Sequence, residues 1–159
     1  MQTQQSQPTK RRNRAESFNA RVQVLLAVDE CGPIIAEVLR QNGVVLPDAN
    51  WSKVFPAWLI AVDGGEDGNG DEVIGCIQVM PAKPFGWCAF LYTKPTVSFK
   101  LRAIALRKLI VAGMSTCHAA GCAYVAGMID VRNGSFIKVM ADLHFVTVGD
   151  STMMLKGLR

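Results

Sequence analysis

Residues 99–120 read FKLRAIALRKLIVAGMSTCHAA, and residues 121–129 continue GCAYVAGMI. Leu101, Ile104, Ala105, Leu109, Ala112 and Ala119 recur at helical spacing, so 99–120 is predicted as one long helix. Gly121 stops it, because a helix commonly ends on a left-handed residue and glycine takes that conformation without strain. Residues 123–129 then form a buried, central strand. The run 109–129 contains no Asp, Glu, Lys or Arg and is long enough to cross a bilayer. Its Ser115, Thr116, His118 and Gly121 favour a buried helix followed by a buried strand, so no membrane association is expected.

Working outward, 86–92 (GWCAFLY) reads as a strand, separated from what precedes it by Pro81 and Pro84 and stopped by Pro95. A loop over 93–98 joins it to the long helix. Further upstream, WLIAV (58–62) and VIGCIQV (73–79) flank a glycine and acid stretch with no apolar residue, the signature of an antiparallel hairpin. RVQVLLAV (21–28) is β-like, Pro33 suits the first turn of a helix over 32–40, and Asn42-Gly43 supplies its left-handed stop. Asp48 caps a second short helix that uses Trp51 and Val54 before Pro56. Downstream, Asn133 caps a helix carrying Phe136, Ile137, Met140 and Leu143, and 145–148 pairs with 153–155 around Gly149-Asp150. The order β-α-α-β-β-β-α-β-α-β-β describes an α/β chain with a mixed sheet, one domain over 21–159.

A chain of 159 residues, half of them hydrophobic, suits a single packed core and excludes global disorder. No repeat or heptad supports a solenoid or coiled coil. The net charge is +4, and Lys10, Arg11, Arg12, Arg14 and Arg21 against Glu16 place all of it in the first 21 residues. Residues 1–20, Gln-rich and without apolar periodicity, read as a flexible basic arm. Such an arm suits a protein partner, a second copy of the chain, or non-specific contact with nucleic acid. No apolar run follows the basic start, so secretion is not indicated and a cytoplasmic location is expected. Cys31, Cys76, Cys88, Cys117 and Cys122 contain no Cys-x-x-Cys pair and read as free thiols in a reducing compartment. Cys117 and His118 are neighbours on a helix, pointing about 100° apart, which suits neither a metal nor a nucleophile pair. Between residues 73 and 129 there is no acid, while Lys83, Lys94, Lys100, Arg102, Arg107 and Lys108 favour an anionic ligand.

Residues 132–145 (RNGSFIKVMADLHF) place Asn133 twelve residues before Phe145. This segment resembles the GNAT superfamily of acyl-CoA N-acyltransferases, whose pattern there is an Asn, a helix, a Leu-Tyr pair and Gly-Phe. WLIAVDGG followed by VIGCIQV is similar to the family's central hairpin, and the element order matches over about residues 20–158. The resemblance implies a GNAT-like fold, acetyl-CoA as cofactor, no metal, and N-acyl transfer as the nominal activity. It also implies a pyrophosphate received by backbone N–H groups at the start of the long helix. The cofactor contacts then fall on Ser98, Phe99, Lys100, Leu101, Arg102 and Ala103, with Asn133.

This chain departs from the family at several points. The expected phosphate loop is VSFKLRAIA (97–105), without the family's spaced glycines; Ala103 and Ala105 stand at small positions, and Lys100 and Arg102 supply positive charge. Met140 occupies the family Tyr position and cannot donate a proton, and 86–92 offers no carboxylate as base. Tyr92 and Tyr124 are the only tyrosines, and no catalytic residue is assigned. His118 reads as a packed or surface residue, as does His144 in the family's Gly position. With these losses the chain also resembles the acetyltransferase-like internal or assembly proteins of some short-tailed phages. The alternative expectation is therefore a catalytically silent structural component of a tailed-phage particle, in the virion or host cytoplasm.

Overall fold

The computed structural model describes residues 19–45, 57–65, 70–128, 134–148 and 153–158. The short helix expected after Asp48, nearly all of the arm, Asn133 and the Gly149-Asp150 turn lie outside them. Strand β1 (Val22–Leu26) leads through one 3-10 turn to helix α1 (Gly32–Gln41), and strands β2 (Trp58–Asp63), β3 (Glu72–Ala82) and β4 (Phe85–Thr93) follow. Helix α2 (Phe99–Ala119), strand β5 (Tyr124–Met128), helix α3 (Gly134–Asp142) and strands β6 (Val146–Thr147) and β7 (Met153–Gly157) complete the order. The sheet runs β1-β2-β3-β4-β5-β7-β6, with β4 and β5 parallel and the other neighbours antiparallel.

Alternation along the strands distributes the apolar side chains to two faces. On one, Ile35, Ala36, Val38 and Leu39 of α1 pack against Trp58, Ile60, Val62, Val73 and Cys76. On the other, Leu101, Ala105, Leu109, Ile110 and Cys117 of α2 cover Leu59, Ala61, Ile74, Ile77 and Val79, and Met140, Leu143 and Phe145 extend that core. The buried stripe of α2 is shifted from the sequence expectation. Ala119 is exposed and Ala112 only half-buried, while Gly113 and Cys117 are buried. The cause is close approach: a Cβ at Gly86 of β4 would lie 2.3 Å from Cys117 Sγ, and one at Gly113 would lie 3.1 Å from Cys88 Sγ.

Helices α1, α2 and α3 end in the same way. Gly43 (φ 77°), Gly121 (φ 80°) and His144 (φ 63°) take the left-handed position. The next N–H, of Val44, Cys122 and Phe145, donates back to Leu39, Cys117 and Met140 at 3.0 Å in each case. The two glycine stops were expected. Pro81 does not break its strand as expected: β3 continues to Ala82, with Pro81 opposite Gly86. Val79 N–H bonds to Ala57 on the β2 side; two residues on, Pro81 faces the same way past the end of β2, where no ladder donor is needed.

Three polar ties hold the ends of the sheet. Arg21 makes a two-pronged ion pair with Asp63 at 2.9 and 2.8 Å. Lys108 Nζ donates to the carbonyls of Asn19 and Val22 at the outer edge of β1. Asn42 Nδ2 bonds to the Thr93 carbonyl at 2.9 Å, joining α1 to the end of β4. No helix among the described residues is long and apolar enough to cross a membrane.

Candidate functional site

Strands β4 and β5 pair only from Phe85 opposite Tyr124 to Cys88 opposite Gly127. Beyond that point they diverge. A bulge drives the separation: Cys76 faces Tyr92 and Gln78 faces Ala89, so Phe90 and Leu91 together oppose Ile77 alone. Phe90 takes φ 48°, a strained conformation for a bulky side chain. The opening is an apolar cleft of about 190 Å³, walled by β4 residues 88–92 with Ile77, Ile110, Gly127, Phe136 and Met140 among its other linings. Gly127 sends no side chain into it, and a Cβ there would come within 3.3 Å of the Cys88 carbonyl oxygen.

Because β4 and β5 are parallel, their C-terminal ends share one end of the sheet, and α2 begins there after residues 94–98. Ser98 caps α2, its Oγ accepting from Leu101 N–H at 3.5 Å. Phe99 and Lys100 are exposed, Leu101 is buried in the core and Ala103 is half-buried. Arg102 turns back: its Nε donates to Thr93 Oγ1 at 3.2 Å. Residues 98–103 therefore stand at the end of the sheet toward which β4 and β5 run, and none of them lines the cleft. Met140 does line it. Phe90, Tyr92, Gly127, Met128 and Phe136 line it too, and sequence reasoning assigned none of them a role. Of these only Gly127 carried a signal, an isolated glycine within a strand pattern.

Cys88 lines the cleft and interacts with Cys117, which is buried in the core beneath α2. Hydrogen bonding to Cys117, then burial, pushes the Cys88 thiol well up, while the thiols of Cys88 and Cys122 lower that of Cys117. Cys76 is pushed up to about 12 by burial, against a smaller opposing effect from the Tyr92 backbone. His118 and His144 are both exposed, and no group of three metal-ligating side chains forms among the described residues.

No family model and no curated protein matches the sequence. Solved structures do match in fold. One is a chain of the NatC complex bound to Gag peptide and CoA, 16% identical, TM-score 0.69, covering 87% of this chain and 99% of that one. Another is yncA, a putative acetyltransferase from Salmonella typhimurium with acetyl-CoA, 15% identical, TM-score 0.67, covering 87% and 95%. A third is a GNAT superfamily phosphinothricin acetyltransferase from Sinorhizobium meliloti in complex with AcCoA, 17% identical, TM-score 0.68, covering 87% and 89%. The chain has the GNAT fold.

Proposed function

With that fold as premise, we propose that the chain binds acetyl-CoA and transfers its acetyl group to an amine. The parting of β4 and β5 beyond Cys88 and Gly127 is the observation that carries this reading. Beyond Cys88 the edge of β4 faces the cleft instead of β5, so its backbone can bond an extended, amide-bearing arm as a strand would. Ile77, Ile110, Phe136 and Met140 suit the methylenes of such an arm, and Gly127 leaves room for it. The capped N-terminus of α2 and the Lys100 charge suit a pyrophosphate at the mouth.

Bound there, acetyl-CoA supplies a thioester carbonyl activated toward an amine. The chain's own residues then orient and exclude water. Tyr92 is the cleft-lining hydroxyl able to return a proton to the departing thiolate, a role Met140 cannot fill. No carboxylate lines the cleft among the described residues, so on this reading the amine's proton passes to water.

Isothermal titration with acetyl-CoA, desulfo-CoA and ADP tests this reading. Micromolar binding by acetyl-CoA is expected, with ADP keeping part of it and Lys100→Glu weakening it about tenfold. Absence of binding up to millimolar concentration defeats it. Met140, and a cleft whose described residues include no carboxylate, favour a second reading, a silent assembly component whose arm grips a neighbour. That reading expects no acetyl-CoA binding and a change in oligomer size, by native mass spectrometry, on deletion of residues 1–17.

A further inference from the structure

Gln78 is fully buried, yet neither its Nε2 nor its Oε1 meets a hydrogen-bond partner among the described residues. Asp63 and Thr93, also buried, differ: Asp63 is held by Arg21 and the Gly65 N–H, and Thr93 by Arg102. Burying an amide with both ends unbonded costs more than an ordinary hydrogen bond returns, so an apolar side chain would serve the core better. Such a residue calls for a reason outside packing.

Its position supplies one. Ile77 and Val79 on either side belong to the core beneath α2, so Gln78 stands on the opposite face of β3. Its strand partners are Trp58 on β2 and Ala89 on β4. Ala89 and Phe90 both line the cleft, and the Trp58 and Phe90 rings meet at 6.0 Å across the strand that carries Gln78. Phe90 is 40% exposed, so solvent reaches the ring beside this amide. On the acyl-transfer reading the cofactor enters at the N-terminus of α2, which leaves the side bordered by the exposed Phe90 ring for a second reactant.

We infer that Gln78 determines acceptor specificity by reading an uncharged amide group of the acceptor, as in a peptide. The inference rests on the acyl-transfer reading above. A carboxamide sets a donor beside an acceptor and so matches a peptide group, donating to its C=O and accepting from its N–H. Among the described residues no Asp, Glu, Lys or Arg lines the cleft, so none of them offers a charged acceptor group a counter-ion there.

The test compares trialaninamide with n-hexylamine as acceptors, with acetyl-CoA and product detected by mass spectrometry. It uses the full chain as wild type, Gln78→Met and Gln78→Leu, the second guarding against a poor fit of the first. Wild type should acetylate trialaninamide with a KM about tenfold below that for n-hexylamine, and both variants should erase the difference while binding acetyl-CoA unchanged. Both should also gain about 3 °C in Tm, because the unbonded amide is gone. A Tm that falls in both variants with the preference intact makes Gln78 structural and overturns the inference. So does a wild type that binds acetyl-CoA but does not prefer the amide. A wild type that fails to bind acetyl-CoA overturns the acyl-transfer reading and this inference with it.

Discussion

His144 occupies a backbone position that glycine occupies at the ends of the other two helices. At φ 63° a side chain crowds the backbone, and histidine carries that cost with no buried contact in return, since the residue is exposed. His144→Gly should therefore stabilise the chain by about 1 kcal/mol, read as a higher urea midpoint at unchanged m. A lower midpoint would show that the imidazole does something its exposure does not reveal. Cys76 makes a different prediction. Its thiol titrates near 9.0 when solvated and is pushed up to about 12 by burial. Between those values the unfolded chain has lost the proton and the folded chain keeps it, so stability is present below pH 9 and falls as pH rises toward 12. Cys76→Ala should flatten that slope in urea titrations at pH 8.5, 9.5 and 10.5.

Among the elements, the seat of α2 on β4 depends on atoms that are missing. Gly86 and Gly113 let Cys117 and Cys88 pack into the places where side chains would stand. Gly86→Ala would set a Cβ 2.7 Å from Cys117 Cβ and should cost about 3 kcal/mol by chemical denaturation. Adding Cys117→Gly should recover part of that loss, although glycine within a helix itself costs about 1 kcal/mol. A double variant as unstable as the sum of the two singles would mean that the contact is not the cause. Elements of this kind were largely legible in the sequence. Helical spacing from Leu101 onward, the stops at Gly43 and Gly121, and the apolar hairpin strands each express a local preference. The continuation of β3 through Pro81 was not legible, because it depends on where a neighbouring strand ends. The bulge at Phe90 was not legible either, since no residue type there demands it.

Across the whole molecule, the candidate site joins parts that are far apart in the chain: β4, β5, the start of α2 and one face of α3. Likeness to a family singled out Met140, which lines the cleft, residues 98–103, which do not, and Asn133, which lies outside the described residues. It did not locate Gln78 or Tyr92, whose significance comes from which strands flank them. A ligand between β4 and β5 touches both sides of the opening, so it binds the folded chain and not the unfolded one. Saturating acetyl-CoA at 100 times its Kd should then add about 2.7 kcal/mol of stability, a rise of about 8 °C in Tm for a chain of this length. Gly127→Val fills the narrow end of the cleft, where even a Cβ comes within 3.3 Å of the Cys88 carbonyl oxygen. The variant should melt cooperatively without ligand and show almost no rise with it. An undiminished rise in Gly127→Val would place the ligand elsewhere, and the site between β4 and β5 would have to be given up.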